Sequence, residues 1–537
     1  MTRIHRSAGN SLLRPLTLAL AFLLFLSGTG IVASAQDEPR AARQELTVGI
    51  SRNLVNGNED FWYTHASLQV YEPLIKYDDS WQLQPALAES WTLSPDGLTW
   101  TFKLREDVHF SNGNPFNADV VVANIHRAEQ FSGRPSIFLG GINYPEIYGA
   151  PTSITATGPY EVQIAYAEPR PLLPYSIANH YSAQFDPASW DPETGNFLDK
   201  PIGTGRFVLV DWQRDQYAVL ERNENYWGEK PALTKITLKI YTDPNARVSA
   251  LKSGEVDALV ELGALLPAQA AELAQDSTFQ VSAHASACQT YIGFNGTKAP
   301  FNDPRVRRAV SLAVDRDTIV NDILSGYVAP AKGIVSQFNT PFFNTSPEAA
   351  ATYDFDQAVS LAQEALGDQT VKVVLAFTPP SEGIGQWPFP LIAQYLQATL
   401  QPLGLDIDLK QLETAALTDA RNNGDFDLVL GNSCWASSDP NYQLSRLFSS
   451  TSAIQATQHG GYNNPEVDQL LAQAAVEIDP AKQKDLYNQV QVIAAQDAVF
   501  APLYDQQTIT AAASYVKGLT QHIAYAPTFD TVYIAEH

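Results

Sequence analysis

The residues best equipped for chemistry fall in one stretch, Gly424 to Pro440, where Trp435, Ser437, Ser438, Asp439 and one of only two cysteines follow a short apolar run. An indole offers a stacking wall and a carboxylate offers a charge-assisted hydrogen bond to a cation; together they suit binding more than bond breaking. Phe426 to Leu430 predicts a buried strand, since the run lies between glycines and is too short for a helix. The loop Asn432 to Asp439 would then leave the carboxyl end of a strand, where open α/β sheets hold their ligands. The same composition also suits a solvated loop around a core tryptophan.

Motifs for catalysis are missing. The chain has no G-x-S-x-G elbow, Walker-type loop, H-E-x-x-H, C-x-x-C or EF-hand loop. Its nine histidines are scattered, with no pair at metal-ligand spacing, and no two acids are marked as an acid/base couple. Neither an enzyme nor a cofactor is expected. Cys288 and Cys434 are too far apart for a local zinc or redox motif. They read either as one disulfide, which loop entropy values at roughly 5 kcal/mol before strain, or as two buried thiols.

The formal charge of −24 argues against nucleic acid and anionic membrane surfaces as partners. Arg3, Arg6 and Arg14 precede an apolar run from Leu16 to Leu26, and Ala33-Ser34-Ala35 resembles a cleavage site, so residues 1–35 read as an export signal. Their loss removes three arginines and makes the mature chain still more acidic. No cysteine stands just after the site to take a lipid, and a free periplasmic protein is the simplest outcome; an uncleaved N-terminal anchor is the competing one.

Several elements must position the loop. A polar leader, 36–45, precedes a strand Leu46 to Ile50 and the aromatic cluster Phe61, Trp62 and Tyr63. A hairpin is predicted at Ser90 to Leu104, with Trp100, Phe102 and Leu104 on one face, and a second at Ile154 to Tyr166. Asn117 is placed to cap a helix between them. A third hairpin, Phe207 to Leu220, leads to a strand–helix–strand unit over 236–260, which implies parallel strands. Asp303-Pro304 starts a helix whose Arg305, Arg307 and Arg308 read as a solvated face or surface ion pairs. Strands Val371 to Phe377 and Leu405 to Leu409 flank a helix, and helices begin at Asn464-Pro465 and Asp479-Pro480. Phe500 to Tyr504 closes the pattern as a strand.

Tyr71-Glu72-Pro73-Leu74, Pro85 to Trp91, Asp96 to Arg105, Pro201-Ile202-Gly203-Thr204-Gly205, Asn225-Tyr226-Trp227, Asn302 to Val310 and Tyr462 to Asp468 occur in an order that resembles the extracytoplasmic solute-binding proteins of peptide/nickel-type ABC importers. The resemblance implies an α/β, two-lobed periplasmic-binding-protein fold (type II) with an extra domain inserted in the first lobe. By analogy, lobe I comprises 46–69, 201–287 and 505–537, the insertion 70–200, and lobe II 288–504. It implies a monomeric receptor that closes on a small solute, peptide favoured, and delivers it to an ABC permease complex. An oligosaccharide or a metal chelate is the alternative solute, and a secreted hydrolase the remote one.

Peptide-binding relatives place an aspartate a few residues after the tryptophan, paired with the peptide's α-amino group. Here that position holds Ala436 or Ser438. Asp439 either moves into the role or caps the following Pro440-Asn441 segment, and both readings stand open. The expected solute contacts are Trp435, Asp439, Phe61, Trp62 and Tyr504. Arg421 can reach an anionic end of a solute or form a surface salt bridge. The resemblance also places the two cysteines near a crossover and the cleft loop, where some relatives have a comparable disulfide.

Overall fold

The computed structural model describes residues 39–51, 69–132, 144–178, 182–198, 200, 202–213, 215–339, 341–380, 387–434, 437–452, 461–523 and 526–537. The expected export signal, Phe61, Trp62 and Trp435 lie outside these residues.

Alternating apolar residues build a main sheet whose strands run, edge to edge, Leu405–Gln411, Val371–Phe377, Leu428–Cys434, Phe279–Phe294, Phe500–Ala513, Ala258–Leu259, Glu45–Ile50, Lys235–Ile240, Tyr217–Arg222 and Phe207–Gln213. Two parallel groups lie within it, one inside an antiparallel edge hairpin and the other at the opposite edge. In one, Glu45–Ile50 is flanked by the parallel strands Lys235–Ile240 and Ala258–Leu259. The predicted strand–helix–strand unit is therefore parallel, with the first strand of the chain lying between its two strands. In the other, Val371–Phe377 runs parallel to Leu405–Gln411 and Leu428–Cys434.

Two long antiparallel strands join these groups. Phe279–Phe294 pairs with Phe500–Ala513 from Phe279↔Ala513 to Gly293↔Phe500, with an irregularity between Ala285 and Gln289. From Cys288 onward its other edge pairs with Leu428–Cys434. Near its start the long strand is partly exposed, and from Ser286 to Phe294 every residue is buried. Burial on both faces erases period-two alternation. That is why only Phe500 to Tyr504 of its partner, itself buried almost throughout, reads as a strand in the sequence.

A separate four-stranded sheet has the order Ala88–Leu93, Thr99–Leu104, Glu161–Tyr166, Pro151–Gly158. Trp100, Phe102 and Leu104 alternate on its buried face. Helix Ala118–Gln130 begins at Asn117, whose side chain accepts from the Val120 amide at 3.1 Å. This sheet shares one apolar cluster with helices Pro440–Phe448, Pro465–Val476 and Pro480–Gln496.

Three of the recurring sequence strings meet on one carboxylate. Glu72 accepts from Thr204 Oγ1, Tyr226 Oη and Trp227 Nε1, each at 2.8 Å. Burial pushes its pKa up, opposed by those donors and by the charge of Arg206. A buried acid so fully bonded is a structural joint. Gly203 and Gly205 complete it, because a side chain at either would run into the carbonyls of Val70 and Gln69.

The basic trio does not behave as one face. Arg305 pairs with Asp303 at the surface. Arg307 instead is half-buried and donates to the carbonyls of Asp497, Ala498 and Phe301. Carbonyls at the end of helix Pro480–Gln496 lack intrahelical partners, so a cation there is held by both bonds and dipole.

Candidate functional site

The strand entering the key loop starts and ends later than the sequence pattern indicates. It spans Leu428–Cys434, because cross-strand pairing continues through Asn432↔Thr290 and Ser433↔Gln289 to Cys434↔Cys288. The two cysteines form a disulfide with S–S 2.10 Å and Cα–Cα 4.0 Å. It fastens the last residue of this strand to the long crossover strand, so the loop beyond has a covalent root.

Asp439 is buried, and its carboxylate is occupied. One oxygen, Oδ1, accepts from the amides of Asn441 at 2.9 Å and Tyr442 at 3.2 Å, capping helix Pro440–Phe448 with Pro440 at its first position. The other, Oδ2, accepts from the hydroxyl of Ser176. Burial pushes the carboxyl up, against the opposing effects of Ser176, Arg170 and the two amides. Of the two readings of Asp439, the cap is present in the structure. Its neighbours face the same way: Ser437 Oγ donates to the Tyr175 carbonyl at 2.9 Å and lies 3.2 Å from Tyr77 Oη, which also accepts from the Ser438 amide at 3.2 Å.

Arg421 sits in helix Thr414–Asn423 and points toward the sheet. Its terminal nitrogen donates to the Leu430 carbonyl at 3.4 Å, a long bond, while its Nε is enclosed without a hydrogen-bond partner among the described residues. Burial lowers its pKa, with Tyr291 the neighbouring group that opposes this. Among the described residues no carboxylate pairs with it. Tyr504 is fully buried in the apolar cluster around Val371–Phe377, its ring 5.4 Å from that of Trp387.

Next to the disulfide, where the long strands cross, lies a polar cluster that the sequence did not mark. Gln506 Nε2 donates to Thr290 Oγ1 and Asn432 Oδ1, both at 2.8 Å, and Thr290 donates to the same Asn432 oxygen. Asp505, fully buried, accepts from Gln289 Nε2 at 2.8 Å and from the amide and side chain of Gln337 at 3.1 and 2.9 Å. With only neutral donors around it, burial raises its pKa to about 6. These residues come from four distant segments, and no local spacing could have announced them. Ser176, Tyr77 and Tyr175 were missed for the same reason.

Among the described residues no group of three or more His, Cys, Asp or Glu side chains is placed to hold a metal ion. No described helix is long and apolar enough to cross a membrane.

Comparison with known proteins agrees with this architecture. The chain is 29% identical over 510 residues to the nickel-binding periplasmic protein of Escherichia coli K12, covering 90% of this chain and 92% of that one. It is 27% identical over 473 residues to the probable D,D-dipeptide-binding periplasmic protein DdpA of the same organism, covering 86% and 87%. Among solved structures it is similar to NikA from Brucella suis in complex with Fe(III)-EDTA, at 26% identity and a TM-score of 0.79, over 91% of this chain and 99% of that one. The two-lobed fold is shared with these relatives, and they are binding proteins. The model of the bacterial extracellular solute-binding proteins, family 5, matches residues 82–455, and the chain belongs to that family.

Proposed function

We propose that this protein is a periplasmic receptor that closes its two lobes on a small carboxylate-bearing solute and passes it unchanged to an ABC permease in the inner membrane. In this reading the export signal is 1–35, lobe I is 46–69, 201–287 and 505–537, the insertion is 70–200, and lobe II is 288–504. The boundaries at 287/288 and 504/505 fall inside the two long strands Phe279–Phe294 and Phe500–Ala513, where a small twist of two strands would turn one lobe against the other.

The observation carrying the solute class is Arg421, a half-buried cation with no carboxylate partner among the described residues. A solute carboxylate would supply the missing anion by a paired, charge-assisted bond. A peptide carries such a group, and a peptide remains the favoured solute, with Trp435, Phe61 and Trp62 as apolar walls; Tyr504, fully buried in its own apolar cluster, is not among them. A metal chelate is the second reading, favoured by one observation: Asp439, the acid expected to bind a peptide's amino group, already has both oxygens engaged. The relatives named above bind nickel, D,D-dipeptides and Fe(III)-EDTA according to their descriptions.

Thermal shift of the mature chain against dipeptides, C-terminally amidated dipeptides, nickel with histidine, and neutral sugars tests this. A shift with free but not amidated peptides is expected, and at a hundredfold excess over Kd binding adds about 2.7 kcal/mol. A response to neutral sugars alone would end the carboxylate reading. Arg421→Gln should weaken binding by roughly tenfold or more, measured by calorimetric titration.

A further inference from the structure

The loop after the disulfide turns its polar groups inward, and among the described residues Ser438 Oγ has no hydrogen-bond partner while its amide does. Ser437 and Asp439 are 4% exposed, and Ser438 is 0% exposed. Their partners, Tyr77, Tyr175 and Ser176, all belong to the segment that carries the separate four-stranded sheet, more than 250 residues away in sequence. Tyr77 Oη also bonds the Tyr175 carbonyl, so the acceptor side is itself a braced unit. The Asp439 amide donates to Ser437 Oγ at 3.0 Å, which holds the loop in the same pose that caps helix Pro440–Phe448.

We infer that Ser437, Ser438 and Asp439 form a latch between lobe II and the inserted segment, so that the closed form is stabilised by contacts within the protein as well as by the solute. The inference rests on the two-lobed receptor reading, though not on any particular solute. The geometry is that of a switchable contact. Parting would also uncover the apolar cluster that helix Pro440–Phe448 shares with Leu172, Leu173 and Ile177; each polar bond joins groups that water would satisfy, and the carboxylate keeps its helix cap in either state. Opening therefore exchanges the Ser176 hydroxyl for water without unfolding the helix. The latch residues are positioning residues: they set how much of the population is closed before solute arrives, and a receptor already partly closed binds with less loss of apparent affinity.

The test reads closure without solute. The mature chain is unfolded in guanidinium, dialysed free of co-purified ligand, refolded and measured by small-angle X-ray scattering beside Ser176→Asp, Ser176→Ala and Tyr77→Phe. Ser176→Asp sets a second carboxylate against Asp439 and should open the molecule, giving a larger radius of gyration than the parent at unchanged circular dichroism. Ser176→Ala and Tyr77→Phe each remove one hydroxyl and should lower the closed-to-open ratio, Ser176→Ala by roughly tenfold because its bond is to a charged group. A radius of gyration identical in the parent and all three folded variants overturns the latch. If Ser176→Asp fails to fold, the two hydroxyl deletions decide alone. Failure to find any solute would sink the receptor reading while leaving this measurement intact.

Discussion

At the scale of single residues, the same acid can serve a solute or a backbone, and Asp439 is taken by the backbone. Removing it as Asp439→Ala takes away a helix cap and leaves Ser176 without its charged acceptor, so a loss of about 1–3 kcal/mol is expected in urea denaturation. Asp439→Asn keeps one oxygen for the cap and should lose less. Asp505 makes a pH prediction. Its pKa rises from the ordinary 3.8 to about 6 in the fold, so the folded state holds the proton more tightly than the unfolded chain. Its contribution to stability is therefore full below about pH 4 and lost as pH climbs through 6. Asp505→Asn should remove that dependence, and the stability of the parent relative to the variant should fall by on the order of 2–3 kcal/mol between pH 4 and 7, as followed by denaturant titration at each pH.

At the scale of elements, strand ends and junctions carry the load. Gly431 lies on the strand Leu428–Cys434, and a Cβ there would stand 2.9 Å from the buried ring of Tyr291. Gly431→Ala should cost about 1–3 kcal/mol through displaced packing. Gly203→Ala should be harsher, since the obstacle is the Val70 backbone and Thr204 next door is bonded to Glu72. Both are read from thermal melts. The Cys288–Cys434 bond closes a loop of 146 residues. Its reduction, or Cys288→Ser with Cys434→Ser, should lower stability by about 2–5 kcal/mol, with the melting curve of the double variant insensitive to added reductant. Helix starts were readable from sequence because caps are local: Asn117, Asp303, Asn464 and Asp479 each accept from amides two or three residues on. The end of the central strand was not, because Asn432 to Cys434 continue as strand only through partners at 288–290.

At the scale of the whole molecule, two long strands pass between two parallel groups and a third body packs against one of them through helices Pro440–Phe448, Pro465–Val476 and Pro480–Gln496. In the receptor reading proposed above, such an arrangement would let a change at the cleft be read at a distance, since only a few backbone positions need to twist. The Asp505 and Gln506 cluster lies on one of those strands, beside the residues that root the loop after the disulfide. Solute should therefore reduce the radius of gyration and raise the melting temperature together. A solute that raises the melting temperature with no change in scattering would mean that the unliganded protein is already closed.

The amino-acid order alone determined the α/β class, the hairpins, the helix caps and the family strings, because these depend on alternation, turn chemistry and capping over fewer than about ten residues. Only the tertiary structure decided what Asp439, Arg421 and Arg307 do. Each was read correctly as charged and incompletely as to partner, since the partner is a hydroxyl from Ser176, the carbonyl of Leu430, or the carbonyls of Asp497 and Ala498. Local sequence carries the periodicity of a backbone. The neighbour that satisfies a buried charge is chosen by folding, which brings together residues hundreds of positions apart.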